Sequence, residues 1–345
     1  MIIVRAPLRV SFFGGGTDLP AWFNRPERAA VLSTTINKYV YVQLRRLPAV
    51  FDFNYRIAWG MLEEVKTVRE IKHPVVRALL EYYDQDGESG YEIIYNADLP
   101  SRTGLGSSSA FTVALLNAWF GNHERLCSKR FLAQQAIFLE QDLLKETVGS
   151  QDQVAAAYGG LNRIDFLPGG DFTVSTLHVP AERRNELQNS LMLFFTGFAR
   201  SAPEIEKMKV ARYEERVQNL RTMHAMVGEG ERILSDPRRE ISEFGDLLHE
   251  AWMAKRSIDP SVSNSVIDEA YDTARAYGAR GGKLLGAGGG GFLMMLVPPE
   301  RQAAVKEALR SLTHVPFRME REGASVVLYN PELASNYLAA EARVC

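Results

Sequence analysis

The stretch Pro100-Ser-Arg-Thr-Gly-Leu-Gly-Ser-Ser-Ser-Ala110 sets two glycines and five hydroxyl side chains immediately ahead of the apolar run Phe111-Thr-Val-Ala-Leu-Leu-Asn-Ala118. Glycines permit a tight turn, and the first amides of a helix carry its positive dipole end without a carbonyl partner of their own. Such a loop is a phosphate cradle. Gly281-Gly-Lys-Leu-Leu-Gly-Ala-Gly-Gly-Gly-Gly291 has a glycine density that a packed element would not tolerate without a reason. Two such loops suggest a nucleotide. Gly286 to Gly291 formally fits G-x-G-x-x-G, but an apparent strand follows where the dinucleotide fingerprint needs a helix. Lys283 precedes Leu284 rather than Ser or Thr, so this is not a P-loop either.

Phosphoryl transfer needs a screened triphosphate, a positioned metal and an acceptor hydroxyl held in line. Ser107 and Ser108 can offer hydroxyl and amide to phosphates or to Mg²⁺; a serine opening a helix also serves as its N-cap. Glu140 falls on the predicted helix face of Leu132, Ala136, Leu139 and Leu143, where a free charge is expensive if buried. A partly exposed surface acid is the competing reading, and Asp142 is the nearby alternative. Because Mg²⁺ keeps waters and takes one or two protein oxygens, no histidine cluster is required, and the six histidines are scattered. Asp152 occupies the second position of a helix, where the dipole favours a carboxylate. Asp18 ends the loop Gly14-Gly-Gly-Thr-Asp18, either as a turn-capping residue or as a ligand.

These residues need elements to hold them. Strand patterns run from Ile2 to Val10, Val31 to Leu47 and Tyr91 to Tyr95, so the cradle lies between a strand and a helix. Ser128 to Thr147 predicts a helix; Ser150-Gln-Asp-Gln153 reads as a capping box for the next one, which Gly159-Gly160 stops. Pro168-Gly-Gly170 and the polar stretch Leu177 to Asn189 mark a boundary, dividing the chain into 1–185 and 186–345. Beyond it come a strand at Leu191 to Thr196, a long charged helix at Glu204 to Glu231 and helices at about 241–254 and 262–277. The glycine loop, strand 292–297, helix 300–311 and a last strand near Ser325 to Leu328 follow. The irregular alternation predicts an α+β fold with two lobes rather than a doubly wound sheet.

The composition excludes several classes. With 40 basic against 42 acidic residues in 345, no field favours nucleic acid or an anionic membrane surface. Cys127 and Cys345 alone make neither a disulfide framework nor a thiolate metal cluster. Met1 to Val10 lacks a signal peptide's leader, and runs such as Phe292 to Val297 are too short to span a bilayer, so the expectation is a cytoplasmic protein acting on a small molecule. A homodimer is left open.

Pro7-Leu-Arg-Val-Ser-Phe-Phe-Gly-Gly-Gly-Thr-Asp18, Pro100 to Ala110 and Lys283 to Gly291 resemble the three ordered motifs of the GHMP small-molecule kinases. Gly149-Ser-Gln-Asp-Gln-Val-Ala-Ala-Ala-Tyr-Gly-Gly160 resembles the segment that holds that family's catalytic aspartate. The resemblance spans nearly the whole chain. It implies a two-domain fold, an N-terminal domain like ribosomal protein S5 domain 2 against a ferredoxin-like C-terminal domain, with ATP and Mg²⁺ as cofactors. It further implies that Asp152 orients or accepts the acceptor proton, that Arg9 bridges Asp152 and the transferring phosphoryl, and that Ser108 and Glu140 hold Mg²⁺. The nucleotide loop is then Pro100, Arg102, Thr103, Gly104, Leu105, Gly106, Ser107, Ser108 and Ser109, with Leu105 also reading as core. Trp59 reads as an adenine wall or as a core residue.

Within the family, Gly14 to Asp18 and Thr196-Gly-Phe-Ala-Arg-Ser-Ala202 resemble the branch of D-glycero-D-manno-heptose 7-phosphate kinases, which phosphorylate the anomeric C1 hydroxyl in nucleotide-activated heptose biosynthesis. Galactokinases have Gly-Glu-His-Thr-Asp where this chain has Gly14, Gly15, Gly16, Thr17 and Asp18, so two sugar-contacting side chains are lacking and the pocket is roomier. The acceptor site is expected at Gly15, Gly16, Thr17, Asp18, Gly288 and Gly289. Arg200 and Lys283 are the candidates for a distal phosphate, while Arg5, Arg45, Arg102 and Arg163 equally read as surface charges. The alternatives are a GHMP kinase for another sugar such as fucose, and a sugar-sensing protein of the same fold. The joint presence of Arg9, Ser108, Glu140 and Asp152 disfavours the sensor.

Overall fold

The structure, a computed structural model, describes residues 1–25, 28–84, 90–197, 217–258 and 260–331. In chain order it runs β1 (Ile2–Phe13), α1 (Pro20–Phe23), β2 (Ala29–Leu47), β3 (Tyr55–Ala58), β4 (Leu62–Val65), α2 (Pro74–Tyr83), β5 (Gly90–Ala97) and α3 (Ser107–Asn122). Next come α4 (Lys129–Ile137), a π-helical turn (Phe138–Leu143), α5 (Gln151–Tyr158), the hairpin β6 (Leu161–Phe166) and β7 (Phe172–Thr176), α6 (Ala181–Ser190) and β8 (Leu191–Phe195). The rest is α7 (Val217–Ser235), α8 (Ile241–Ile258), α9 (Ser265–Ala276), β9 (Gly281–Leu284), β10 (Phe292–Leu296), α10 (Gln302–Ala308), β11 (Thr313–His314), β12 (Met319–Glu320) and β13 (Ser325–Tyr329).

Two sheets organise these elements into the expected α+β architecture. The larger follows β13-β1-β2-β5-β3-β4, with β6 and β12 paired to β2 and β7 to β6; the smaller is β11-β8-β10-β9. The long strand β2 serves two neighbours, pairing with β6 over Ala29 to Thr34 and with β5 over Val40 to Leu47. Its antiparallel partner β1 is almost wholly buried, from Ala6 to Phe13, so Arg9 enters the protein on a strand with no solvent face of its own. The proposed boundary at 185 falls inside α6, and β12 and β13 return to the sheet built by the first half, pairing with β2 and β1. The polar stretch Leu177 to Asn189 contains this helix, and Pro168-Gly-Gly170 is the β6–β7 turn.

Helix α3 is buried around most of its circumference, with Leu115, Leu116, Val113 and Ala114 at zero exposure. It is packed against β1 and β2 on one side and α4 and α5 on the other. Burial of large apolar side chains at roughly 1.5–3 kcal/mol each pins its start in place, so the loop before it is held at a fixed distance from β1. The two sheets meet through α8: the Phe244 ring lies edge-on to Phe12 and Phe13 with centroids 5.2 and 5.0 Å apart.

The two glycine-rich segments touch back to back. Gly104 (φ +86) and Gly286 (φ +72) approach so closely that a Cβ on Gly286 would stand 2.4 Å from the Gly104 Cα. A Cβ on Gly291 would lie 2.3 Å from the Thr103 carbonyl oxygen. Gly281 to Leu284, read from sequence as the start of a loop, instead forms β9 against β10, since its glycines allow close backbone packing: a Cβ on Gly281 would meet the Gly245 carbonyl at 2.0 Å. Gly286→Ala should therefore destabilise by roughly 2–4 kcal/mol, more than the about 1–2 kcal/mol of a left-handed alanine alone. Gly169 (φ +84, nothing within 4 Å) supplies the control. Urea unfolding that gives Gly286→Ala and Gly169→Ala the same loss would show that the close approach contributes nothing.

Candidate active site

Helix α3 begins differently from a serine-capped helix. Its N-cap is Gly106, in the left-handed region at φ 75° and ψ 23°, and no side chain caps it. Ser107, Ser108 and Ser109 are the first helical residues, so their side chains are released for other partners. Ser108 is exposed, Ser107 is buried, and the Ser109 hydroxyl donates to Glu140 Oε2 at 2.9 Å. The loop before them is closed by Thr103, fully buried, whose hydroxyl donates to the Pro100 carbonyl at 2.8 Å. Pro100 and Arg102 stand exposed on its outer turn, Leu105 is buried in the core, and Arg102 holds φ +61°, unusual for a residue with a side chain.

Arg9 and Asp152 form the centre. The Arg9 guanidinium grips the carboxylate with two parallel bonds, Nε to Oδ1 at 2.7 Å and a terminal nitrogen to Oδ2 at 2.8 Å, and its other terminal nitrogen donates to the Gly104 carbonyl. The Arg9 amide donates to the Leu105 carbonyl at 3.0 Å, so one residue fixes both the phosphate loop and the aspartate. A Cβ on Gly106 would lie 3.1 Å from Asp152 Oδ2, which places the pair against the α3 N-terminus. The predicted capping box before α5 is not made. Ser150 has helical backbone angles and its hydroxyl accepts from Gln141 Nε2, while Gln153 turns to Glu140.

Asp18 sits behind this pair and is fully buried. Its Oδ1 accepts from the Gly16 amide at 2.8 Å, and the Ser150 amide donates to its carbonyl at 3.0 Å. Desolvation, with the nearby Asp152 charge adding to it, raises its pKa. A Cβ on Gly149 would clash with Asp18 Oδ2 at 1.8 Å, so the chain before α5 wraps this carboxylate directly. Thr17, expected at the acceptor, is wholly buried; its hydroxyl faces the Gly14 and Ala30 carbonyls at 2.8 and 3.0 Å and so fixes the loop. Gly15 and Gly16 leave the adjoining space without side chains. Ser11, which sequence reasoning passed over inside the first motif, has a buried hydroxyl without a partner 3.9 Å from where a Gly15 Cβ would stand.

Glu140 lies in the π-helical turn rather than in a continuous Ser128 to Thr147 helix; the Leu144 amide reaches back five residues to Leu139. It is 1% exposed whereas Asp142 is exposed, which settles which acid faces inward. Oε2 accepts from Ser109 and Gln153, and Oε1 has no hydrogen-bond partner. Burial pushes its pKa up to about 7 against the hydrogen bonds that favour the anion. An orphaned carboxylate oxygen near the first turn of α3 fits Mg²⁺, which takes one or two hard oxygens from protein; Glu140 would hold it, and the exposed Ser108 hydroxyl is free to assist. Among the described residues, no group of three or more His, Cys, Asp and Glu gathers for a metal.

The remaining candidates divide. Gly288 and Gly289 belong to the third loop, anchored where the Gly289 amide donates to the Val262 carbonyl at 3.1 Å. Lys283 is buried in β9, and its ammonium donates to the Phe12 carbonyl at 2.9 Å, which joins the smaller sheet to β1. Lys255, missed in the sequence, donates to the Leu284 and Gly286 carbonyls at 3.0 and 2.6 Å and so holds that loop. Trp59 donates to Glu63 at 2.7 Å and packs edge-on to His73, which in turn meets Phe111 of α3. Arg200, with residues 198–202 of the Thr196 to Ala202 segment, lies outside the described residues. Arg5, Arg45 and Arg163 pair with Glu322, Glu92 and Asp165.

The GHMP kinase N-terminal domain matches residues 69–160, and the GHMP kinase C-terminal domain matches residues 237–314. Those spans contain the phosphate loop, Glu140, Asp152 and the third glycine loop. The chain belongs to the GHMP kinase family. Among relatives, it is 27% identical over 295 residues to D-glycero-alpha-D-manno-heptose 7-phosphate kinase of Campylobacter jejuni, covering 83% of this chain and 86% of that protein. It is 26% identical over 313 residues to the bifunctional fucokinase/GDP-fucose pyrophosphorylase of Arabidopsis thaliana, covering 83% of this chain but 29% of that longer protein. A D-glycero-D-manno-heptose 1-phosphate kinase from Bacteroides thetaiotaomicron has the same fold, with a TM-score of 0.77 at 24% identity over 96% of this chain and all of that one. This GHMP kinase is thus an enzyme of the phosphotransferase class. No helix among its described residues is long and apolar enough to cross a membrane.

Two outcomes follow from this geometry. Asp152→Asn should lower turnover roughly 10²- to 10⁴-fold while leaving ATP affinity nearly unchanged, as steady-state kinetics and nucleotide titration will show. Near-parental turnover would remove Asp152 from the chemistry. The second concerns Glu140. Its folded pKa of about 7 exceeds the unfolded value of about 4.5, so its contribution to stability is complete below pH 4.5 and is lost as pH rises to 7. In metal-free buffer, Glu140→Gln should therefore gain on the parent between pH 5 and pH 8, by up to about 3 kcal/mol. Equal pH slopes for the two proteins in thermal or urea unfolding would place Glu140 in contact with water.

Proposed function

We propose that this GHMP kinase transfers the γ-phosphoryl of ATP to the anomeric C1 hydroxyl of a phosphorylated seven-carbon sugar, D-glycero-D-manno-heptose 7-phosphate, giving the 1,7-bisphosphate. The observation that carries the transfer is the bidentate Arg9–Asp152 pair set against the amide-rich start of α3, with Asp18 behind it. The α3 amides and dipole attract the triphosphate, and Gly104 and Gly106 let the backbone approach it. Asp152 receives the C1 hydroxyl and orients it; as the C1 oxygen bonds to the γ-phosphorus, the hydroxyl proton passes to the carboxylate and the bridging oxygen leaves on ADP with its electron pair. Both oxygens of Asp152 already accept from Arg9, which favours positioning over strong base chemistry, and the guanidinium offsets charge that develops on the transferring group. Mg²⁺, when bound, supplies neutralisation of phosphate charge.

The acceptor assignment draws on a different set of observations. The loop from Gly14 to Gly16 lacks side chains where a galactose-type site has two, which makes room for a longer sugar, and the Campylobacter jejuni relative bears the name of a heptose 7-phosphate kinase. Asp18 is the side chain left in that loop to hold sugar hydroxyls, and its buried carboxylate gains from each donor it receives. The distal phosphate is assigned to Arg200, because Lys283 directs its ammonium to a backbone carbonyl. We place the enzyme among cytoplasmic nucleotide-activated heptose pathways on the same grounds. The Arabidopsis thaliana relative motivates the second reading, a fucose kinase.

Steady-state comparison of D-glycero-D-manno-heptose 7-phosphate with the unphosphorylated heptose, fucose, galactose and mannose separates the two. Loss of the distal phosphate should lower kcat/KM by about 10²-fold or more, since charge-assisted contacts amount to several kcal/mol together. A kcat/KM for fucose or free heptose equal to or above that for the 7-phosphate would replace the heptose reading and leave the ATP site untouched.

A further inference from the structure

We infer that Gln153 and Ser109 form a clamp that positions Glu140 for its cation, and that Gln153 thereby ties the metal carboxylate to the aspartate beside it in α5. The inference rests on the reading of Glu140 as the metal ligand. Glu140 Oε2 is held from two sides, by the Ser109 hydroxyl at 2.9 Å and by the Gln153 amide nitrogen. Thr112 also faces this carboxyl, with its hydroxyl directed to the Ser108 carbonyl at 3.2 Å, and Oε1 keeps no partner. Gln153 is completely buried, and its own Oε1 is the second acceptor without a hydrogen bond. As a metal ligand the carboxylate has no proton to donate, so the amide must present its NH₂ group to Glu140 and turn its oxygen elsewhere.

Two unpaired acceptor oxygens on side chains bonded to each other are costly in a buried site unless a cation or its bound water meets them. Carboxylate and amide oxygens are the hard donors Mg²⁺ prefers. Outer partners of this kind fix the ligand's orientation and commonly matter as much as the ligand itself. Successive residues on a helix point about 100° apart, and α5 uses this to send Asp152 to Arg9 and Gln153 to Glu140. One short helix therefore carries both the acceptor-orienting group and the metal clamp, and displacement of the helix moves both.

The test measures Mn²⁺ binding to the full-length protein with ADP by electron paramagnetic resonance, alongside the acceptor KM. Gln153→Met, which keeps volume without a donor or acceptor, and Ser109→Ala should each weaken Mn²⁺ binding about 10- to 100-fold. Neither should add to the loss in a double variant with Glu140→Gln, and the acceptor KM should stay within about twofold of the parent because neither residue is assigned to the acceptor site. Parental Mn²⁺ affinity in Gln153→Met and Ser109→Ala, with Glu140→Gln impaired, overturns the clamp alone. An effect additive with Glu140→Gln, or one matched by loss of acceptor affinity, overturns it too, because simple destabilisation would behave so. Parental Mn²⁺ affinity in Glu140→Gln overturns the metal reading beneath it. If Gln153→Met does not fold, Gln153→Leu and Ser109→Ala decide the question by the same measurement.

Discussion

A guanidinium on a buried strand imposes the constraint from which the site follows. Arg9 is 5% exposed, and its strand offers no path to water, so its charge must be met inside the protein. The nearest sufficient partner is a carboxylate that accepts both arms of the fork, and Asp152 supplies it from the first turn of α5. Such a pair adds little net stability, since desolvating both ions offsets their attraction, but removing either member strands the other. Its effect is positional. It fixes the start of α5 against β1 and, through the Gly104 and Leu105 carbonyls, fixes the phosphate loop against both.

That arrangement leaves almost no room beside it, which accounts for the glycines. Gly106 lies against the ion pair, Gly149 against Asp18, and Gly104 against Gly286. At each position a methyl group would meet an atom the site needs where it is. The third loop has no charge of its own to seat it and is held by Lys255, whose ammonium bonds two of its carbonyls, and by the β9–β10 ladder.

Much of this was legible in the sequence because it is local. The strands from Ile2 and through Leu47, the cradle before α3, and α5 ending at Gly159 were carried by alternation, glycines and an apolar run. What escaped is what tertiary partners decide. The serines lost the N-cap to Gly106 because a left-handed turn was needed to bring the loop onto Arg9. Ser150 and Gln153 abandoned a capping box because Gln141 and Glu140 are stronger partners in a buried setting. The π turn at Phe138 to Leu143 has no local signature, yet it is where Glu140 turns to meet Ser109 and Gln153. Lys255 and Lys283 serve backbone carbonyls, and nothing in their neighbours' sequence reveals which carbonyls lie in reach. Re-entry of β13 beside β1 joins residues more than 300 positions apart and is likewise invisible to pattern.

Asp152 is close enough to raise the pKa of Asp18, and Arg9 is committed to Asp152. Asp18 is left with backbone amides, and burial disfavours its charge further. A hydroxyl-bearing ligand that donates to Asp18 lowers this strain, whereas an anionic group placed there would worsen it. For the acceptor proposed above, the phosphate would therefore lie away from Asp18, and a hydroxyl would meet Asp152. In the reaction proposed above, a sugar phosphate would enter with its uncharged end toward the transferring phosphoryl, the orientation that phosphorylation at C1 requires.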